Sequence, residues 1–139
     1  MTIKQLSIFI ENKSGTLINV LDLLSKAGIQ IIASTIADTK DYGIYRVLCD
    51  NPAQAYLILK EAGINAQLSD VIALSIDDAP GRAAAAIKQI SDAGVSILYL
   101  YSFLWKSKGV LVFRTDQSEK AKETIMLNKM NFLTEEYFR

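Results

Sequence analysis

The apolar positions of this chain switch repeatedly between a spacing of two and a spacing of three to four, and the switches mark its elements. Ile3 to Ile10 is rich in β-branched and aromatic residues and runs into the polar stretch Glu11-Asn12-Lys13-Ser14-Gly15, which predicts a strand and a turn. From Leu17 the period lengthens: Leu17, Val20, Leu21, Leu24 and Ala27 share one helical face, and Gly28 stands where a helix ends. Ile29 to Ile36 reads as strand, 38–43 as a polar turn, and Ile44 to Cys49 as its hairpin partner. Asp50-Asn51-Pro52 starts a second helix, whose apolar face is Ala55, Ile58, Leu59 and Ala62 and which Gly63 closes. A short strand, Ile64 to Leu68, completes the order βαββαβ.

The same order then returns. Val71 to Ile76 reads as strand and Asp77-Asp78-Ala79-Pro80-Gly81 as turn, and Ala83, Ala86, Ile87, Ile90 and Ala93 form the helix face. Gly94 ends that helix, Val95 to Trp105 and Val110 to Thr115 form a hairpin across Lys106-Ser107-Lys108-Gly109, and Ser118 to Met130 is helical. The tail from Asn131 is expected to hold a last strand. A slide of 66 residues without insertion lays Gly15 on Gly81, Gly28 on Gly94 and Gly43 on Gly109, with Ile10 on Ile76 and Ala55 on Ala121. Recurring glycines suggest places where a side chain would obstruct the chain path. A period of this length is too long for a solenoid repeat and long enough for a small domain. Two tandem domains follow, residues 1–68 and 69–139, each an α+β ferredoxin-like unit with an antiparallel sheet and both helices on one face. No Gly/Ser- or Pro-rich spacer separates them, so a rigid pair is expected.

One strand departs from the repeat. Tyr99, Tyr101, Phe103 and Trp105 lie on one side and Leu98, Leu100 and Leu104 on the other, where the first copy has Ala33, Thr35, Ala37 and Thr39. A strand apolar on both faces predicts cover on both. The aromatic side is expected to pack on another sheet or subunit, the alternative being partial exposure or cover by the C-terminal tail.

Composition narrows the chemistry. Half of the 139 residues are apolar and 22% charged, a globular balance, and 15 basic residues cancel 15 acidic ones. Net charge therefore favours neither nucleic acid nor an anionic membrane. With no histidine, no Ser-His-Asp or Cys-His pair and no His-containing zinc site can form within the chain. Cys49, the single cysteine, lies beside an apolar run and reads as a buried, inert thiol. No metal site, cofactor or catalytic residue is predicted. Met1-Thr2-Ile3-Lys4-Gln5 lacks the apolar segment of a signal peptide, and no stretch reaches the roughly 18–20 apolar residues that cross a bilayer, so a soluble cytoplasmic protein is expected.

The turn from first strand to first helix carries the candidate chemistry. It is Glu11 to Leu17 in one copy and Asp77 to Ala83 in the other. Unpaired amides at a helix start, with the positive end of its dipole, favour a carboxylate or phosphate by roughly 0.3–2 kcal/mol. A glycine lets a ligand approach, and Asn12 or Asp78 could take an ammonium. The same residues fit a plainer role, since Asn12, Ser14 and Asp78 are good helix caps.

The stretch Glu-Asn-Lys-Ser-Gly-Thr-Leu followed by Ala-Gly-Ile-Gln-Ile resembles the opening of an ACT domain. The second copy repeats it with Pro80-Gly81 and Ala93-Gly94-Val95-Ser96-Ile97. The resemblance spans nearly the whole chain twice and implies a stand-alone tandem ACT protein that binds an amino acid at interfaces between such domains. Carried over by position, it implies one site at Asn12, Ser14, Gly15, Thr16 and Leu17 and another at Asp78, Gly81, Arg82 and Ala83. Gln30 and Ser96 hold the place where the family often presents asparagine, and Ser14 stands where proline is usual. The implied function is a non-catalytic amino-acid sensor, a homodimer that acts on a metabolic enzyme. The alternative is a regulatory or structural subunit that binds such an enzyme with degenerate sites. An enzyme is disfavoured because Glu11 to Gly15 lacks the arginine acylphosphatase chemistry needs. RNA binding at Tyr99, Tyr101 and Phe103 is disfavoured because the basic surroundings are missing.

Overall fold

A computed structural model describes residues 1–11, 13–38 and 41–139. Its strands are β1 (Ile3–Glu11), β2 (Ile31–Asp38), β3 (Tyr42–Cys49), β4 (Ala66–Ile76), β5 (Tyr99–Trp105) and β6 (Lys108–Arg114). Its helices are α1 (Thr16–Lys26), α2 (Pro52–Glu61), α3 (Arg82–Asp92) and α4 (Ser118–Leu127). The chain divides into two units. One holds Lys4–Ser69 with Phe138–Arg139, the other Asp70–Tyr137 with Met1–Ile3. Each is a βαββαβ ferredoxin-like α+β arrangement.

In the first-repeat unit β3 lies between β1 and β2, antiparallel to both, with Leu6 opposite Val47 and Ile36 opposite Tyr45. The Phe9 amide donates to the Asn65 carbonyl at 2.9 Å, which brings the segment entering β4 to β1. Leu6, Ile8, Ile10, Tyr45 and Val47 face Val20, Leu24, Ala55 and Leu59 of the helices. Alternation along the strands meets the helical period on this face, and water is excluded. Cys49, the single cysteine, lies buried in the same core and forms no disulfide.

The second-repeat unit rebuilds the plan: β6 lies between β4 and β5, with Ile72 opposite Phe113 and Leu100 opposite Phe113 from the other side. The Ser75 amide donates to the Asn131 carbonyl at 2.8 Å, the bond made by Phe9 and Asn65 moved on by one period. Helix-end bonds repeat likewise: Ile29 N to Leu24 O becomes Val95 N to Ile90 O.

Beyond shifts of two residues at strand ends, four expected boundaries differ. The strands read at 64–68 and 71–76 are one continuous β4, because no glycine or proline breaks Ser69-Asp70. Residues 95–98 precede β5, and α4 ends at Leu127 rather than Met130. The C-terminal strand is a single bridge, Leu74 to Phe132, followed by a 3-10 turn over Glu135–Phe138. On β5 the exposed row is leucine, not aromatic. Leu98, Leu100 and Leu104 are 55%, 40% and 61% exposed, whereas the four aromatics are half-buried and Val110 and Val112 opposite Phe103 and Tyr101 are buried. Leu100 shares its face with Phe113, on the helix-covered side, but among the described residues β6 is the only strand paired with β5.

Candidate functional site

Each strand-to-helix turn is closed by backbone bonds: Lys13 N to Glu11 O at 2.8 Å in one copy, Ala79 N to Asp77 O at 3.0 Å in the other. Gly15 (φ 89) and Gly81 (φ 83) are the N-caps of α1 and α3, in the left-handed region that disfavours a Cβ. Neither helix has a side-chain cap bond among the described residues, which corrects the capping role expected of Ser14 and Asp78. A glycine in the cap position leaves those side chains one or more residues too early. By contrast, the Asn51 side chain caps α2 by accepting from Gln54 N. Thr16 Oγ1 instead braces the loop, reaching Glu11 O at 2.7 Å and Lys13 O at 3.0 Å.

A cavity opens beside each turn. The first, about 330 Å³, is lined by Glu11, Lys13, Thr16, Asn19, Gly63 and Asn65 among others. The second, about 350 Å³, takes Asp77, Arg82, Gln89, Lys108, Lys129 and Asn131. Glu11 and Asp77, Thr16 and Arg82, Gly63 and Lys129, and Asn65 and Asn131 are the same positions one period apart. A third cavity, about 250 Å³, lies on the β5 side of the second turn against Asp78, Ala83, Phe103 and Gly109.

The residues implied by the resemblance divide accordingly. Thr16 and Arg82 line the paired cavities, and Asp78 and Ala83 line the third. Ser14, Gly15 and Gly81 form the exposed turns, and Leu17 packs on the core. Asn12 lies outside the described residues. Gln30 and Ser96 are not brought to the turns of their own units. They stand beyond the far end of an 11-residue helix, about 16 Å long at 1.5 Å per residue. There the Gln30 amide donates to Asp50 Oδ1 at 3.0 Å and the Ser96 amide to Gln117 Oε1 at 2.7 Å, bonds that tie the strand entry to the next helix. Sequence reasoning missed Asn65, Asn131, Lys108 and Lys129, which reach the cavities from distant segments. The recurrence of asparagine at 65 and 131 was the available signal.

The turns carry exposed ion pairs. Lys13 Nζ lies 2.8 Å from Glu11 Oε2, and Lys108 Nζ lies 3.0 Å from Asp77 Oδ1. The hydrogen bond from Lys13 and its charge hold Glu11 below the usual carboxylate range and raise Lys13. The hydrogen bond from Lys108, its charge and that of Arg82 hold Asp77 low. A depressed carboxyl stabilises the fold above its unfolded pKa and loses that contribution as pH falls through the folded value. Lys108→Met should therefore raise the Asp77 pKa toward the ordinary value, read from carboxyl carbon shifts in an NMR titration. An unchanged pKa would mean that the pair is not populated in solution.

A family model described as "ACT domain pair" matches residues 1–139. Among solved structures, protein BT0572 from Bacteroides thetaiotaomicron is 37% identical with a TM-score of 0.90, over 96% of this chain and 92% of that one. The regulatory subunit of aspartate kinase from Thermus thermophilus shares the fold at 14% identity, with a TM-score of 0.62 over 89% and 91%. That from Thermus flavus does so at 15% identity, with a TM-score of 0.59 over 89% and 90%. No curated protein matches the chain. No helix of the described residues is long and apolar enough to cross a membrane.

Proposed function

We propose that this chain, which belongs to the ACT domain pair family, is a non-catalytic regulatory protein that binds a small amino acid at its strand-to-helix turns. The reading treats 1–68 and 69–139 as its two domains. What supports it most is the cavity built twice, by the same positions and the same backbone bonds, beside a helix start that no side chain caps among the described residues. The positive dipole end of each helix suits a carboxylate, and a pocket of this size admits one small metabolite.

A homodimer belongs to the same reading. Leu98, just before β5, and Leu100 and Leu104 on it form an exposed row that association would take out of water. The row also favours the second reading, a subunit docked on a metabolic enzyme in the cytoplasm. Ligand-dependent stability separates the two. An amino acid at about 100 times its dissociation constant should add roughly 2.7 kcal/mol, on the order of 5–15 °C in melting temperature. A selective shift among the twenty amino acids, lost in Gly81→Val, is expected. No shift with any of them, with sedimentation showing a monomer, would leave the partner-binding subunit.

A further inference from the structure

The two cavities share their frame but not their charge. At three positions one period apart, the first unit has a neutral residue and the second a cation: Thr16 and Arg82, Tyr42 and Lys108, Gly63 and Lys129. All three cations line the second cavity, against one carboxylate, Asp77. Lys108 is paired with Asp77 at 3.0 Å. Arg82 and Lys129 make no ion pair among the described residues. The first cavity is balanced by comparison, with Lys13 bound to Glu11 at 2.8 Å.

Lys129 carries the second, independent observation. It follows the end of α4 with φ 52, the left-handed conformation that the first unit gives to Gly63 at φ 77. A lysine in that conformation is strained where a glycine is not, and strain of this kind is kept where something else needs the side chain. Here it places a cation on the cavity wall. Three changes of one sign meet in one cavity of a chain whose total charge is zero.

We propose that the second-repeat cavity binds a small dicarboxylate, acidic amino acids included, through Arg82 and Lys129, the two cations on its wall that form no ion pair among the described residues. The planar guanidinium pairs two donors with one carboxylate and the ammonium meets the other as a point charge. The side-chain amides of Gln89 and Asn131, on the same wall, supply neutral donors. The proposal rests on the reading above only in taking these cavities as ligand sites; it names the unit and the class of ligand.

The test is isothermal titration of the full chain at low salt with succinate, L-aspartate, L-glutamate, L-alanine and inorganic phosphate. The variants are Lys129→Gly and Arg82→Thr, each the residue of the first unit, with Lys122→Ala, outside both cavities, as the control. Far-UV circular dichroism and melting confirm folding, and Lys129→Gly should melt higher. Dicarboxylates should bind the wild type and Lys122→Ala alike, at least tenfold more weakly in both cavity variants, and more weakly as salt rises. Equal binding to wild type and variants, or no dicarboxylate binding, overturns the proposal. So does inorganic phosphate binding tenfold more tightly than the dicarboxylates, which would mark a phosphate site. Neutral amino acids binding without any dicarboxylate would overturn it and leave the amino-acid reading standing. Succinate binding with no amino acid would uphold it and end that reading.

Discussion

Phe113→Ala is expected to lower the unfolding free energy by about 3–5 kcal/mol. The ring is 1% exposed and heads the fully buried side chains by volume. It stands on the central strand of its sheet, with Ile72 and Leu100 directly opposite on the two neighbours, and packs in one core with Leu74, Ile90 and Ile125. A central strand cannot shift without breaking the ladder on both sides, so the space left by the ring should collapse little, the condition under which such truncations cost most. Small domains hold about 5–15 kcal/mol in all, so this one change removes a large fraction. The comparison is Phe132→Ala: its ring is 37% exposed at the isolated bridge to Leu74, and its loss should cost less than about 1 kcal/mol. Urea midpoints with unchanged slopes measure both. Equal costs would show that the Phe113 site relaxes freely.

One substitution at two equivalent positions should have opposite signs. A Cβ on Gly109 would meet Ile76 Cγ1 at 2.8 Å and the Ile76 carbonyl oxygen at 3.2 Å. Ile76 faces it across the β4–β6 ladder and is β-branched, so neither the backbone nor Cγ1 can step aside cheaply. Gly109→Ala should therefore cost about 1–3 kcal/mol by overpacking. Gly43 makes the same pairing with Ile10, but its Cβ would find its nearest atoms at 3.6 Å, ordinary contact. Gly43→Ala should stabilise by about 0.4–1 kcal/mol, because alanine loses less backbone freedom on folding and fits the space. Urea melts of the two variants decide it. A stabilising Gly109→Ala would mean that β4 and β6 stand farther apart than described.

These glycines also show how far a repeat can be read from residues alone. Their recurrence correctly marked special positions, and the reason expected, obstruction by a side chain, holds for Gly109. At Gly15, Gly28 and Gly81 a Cβ would meet nothing within 4 Å, and the positive φ is what selects glycine. A letter in a sequence records that a position is constrained, not whether torsion or a neighbour constrains it. The same limit separates Ser14 and Asp78, expected as caps, from Gly15 and Gly81, which occupy the cap positions. It likewise separates Gln30 and Ser96 from the turns, because a helix of known length carries the chain away before they occur.

Element type, element order and the doubled plan were written in the sequence by itself, because periods of two and 3.6 and a register of 66 residues are local or nearly local patterns. The family resemblance rested on the same local run of turn, helix and strand. The cavities were decided by tertiary structure alone. Asp77, Arg82, Lys108, Lys129 and Asn131 come from turn, helix, hairpin and tail, and only antiparallel pairing and helix packing set them around one space. The uncovered leucine row of β5 was decided there too: alternation shows that a strand has two apolar faces, but which face finds a partner depends on where the helices end and the sheet has its edge.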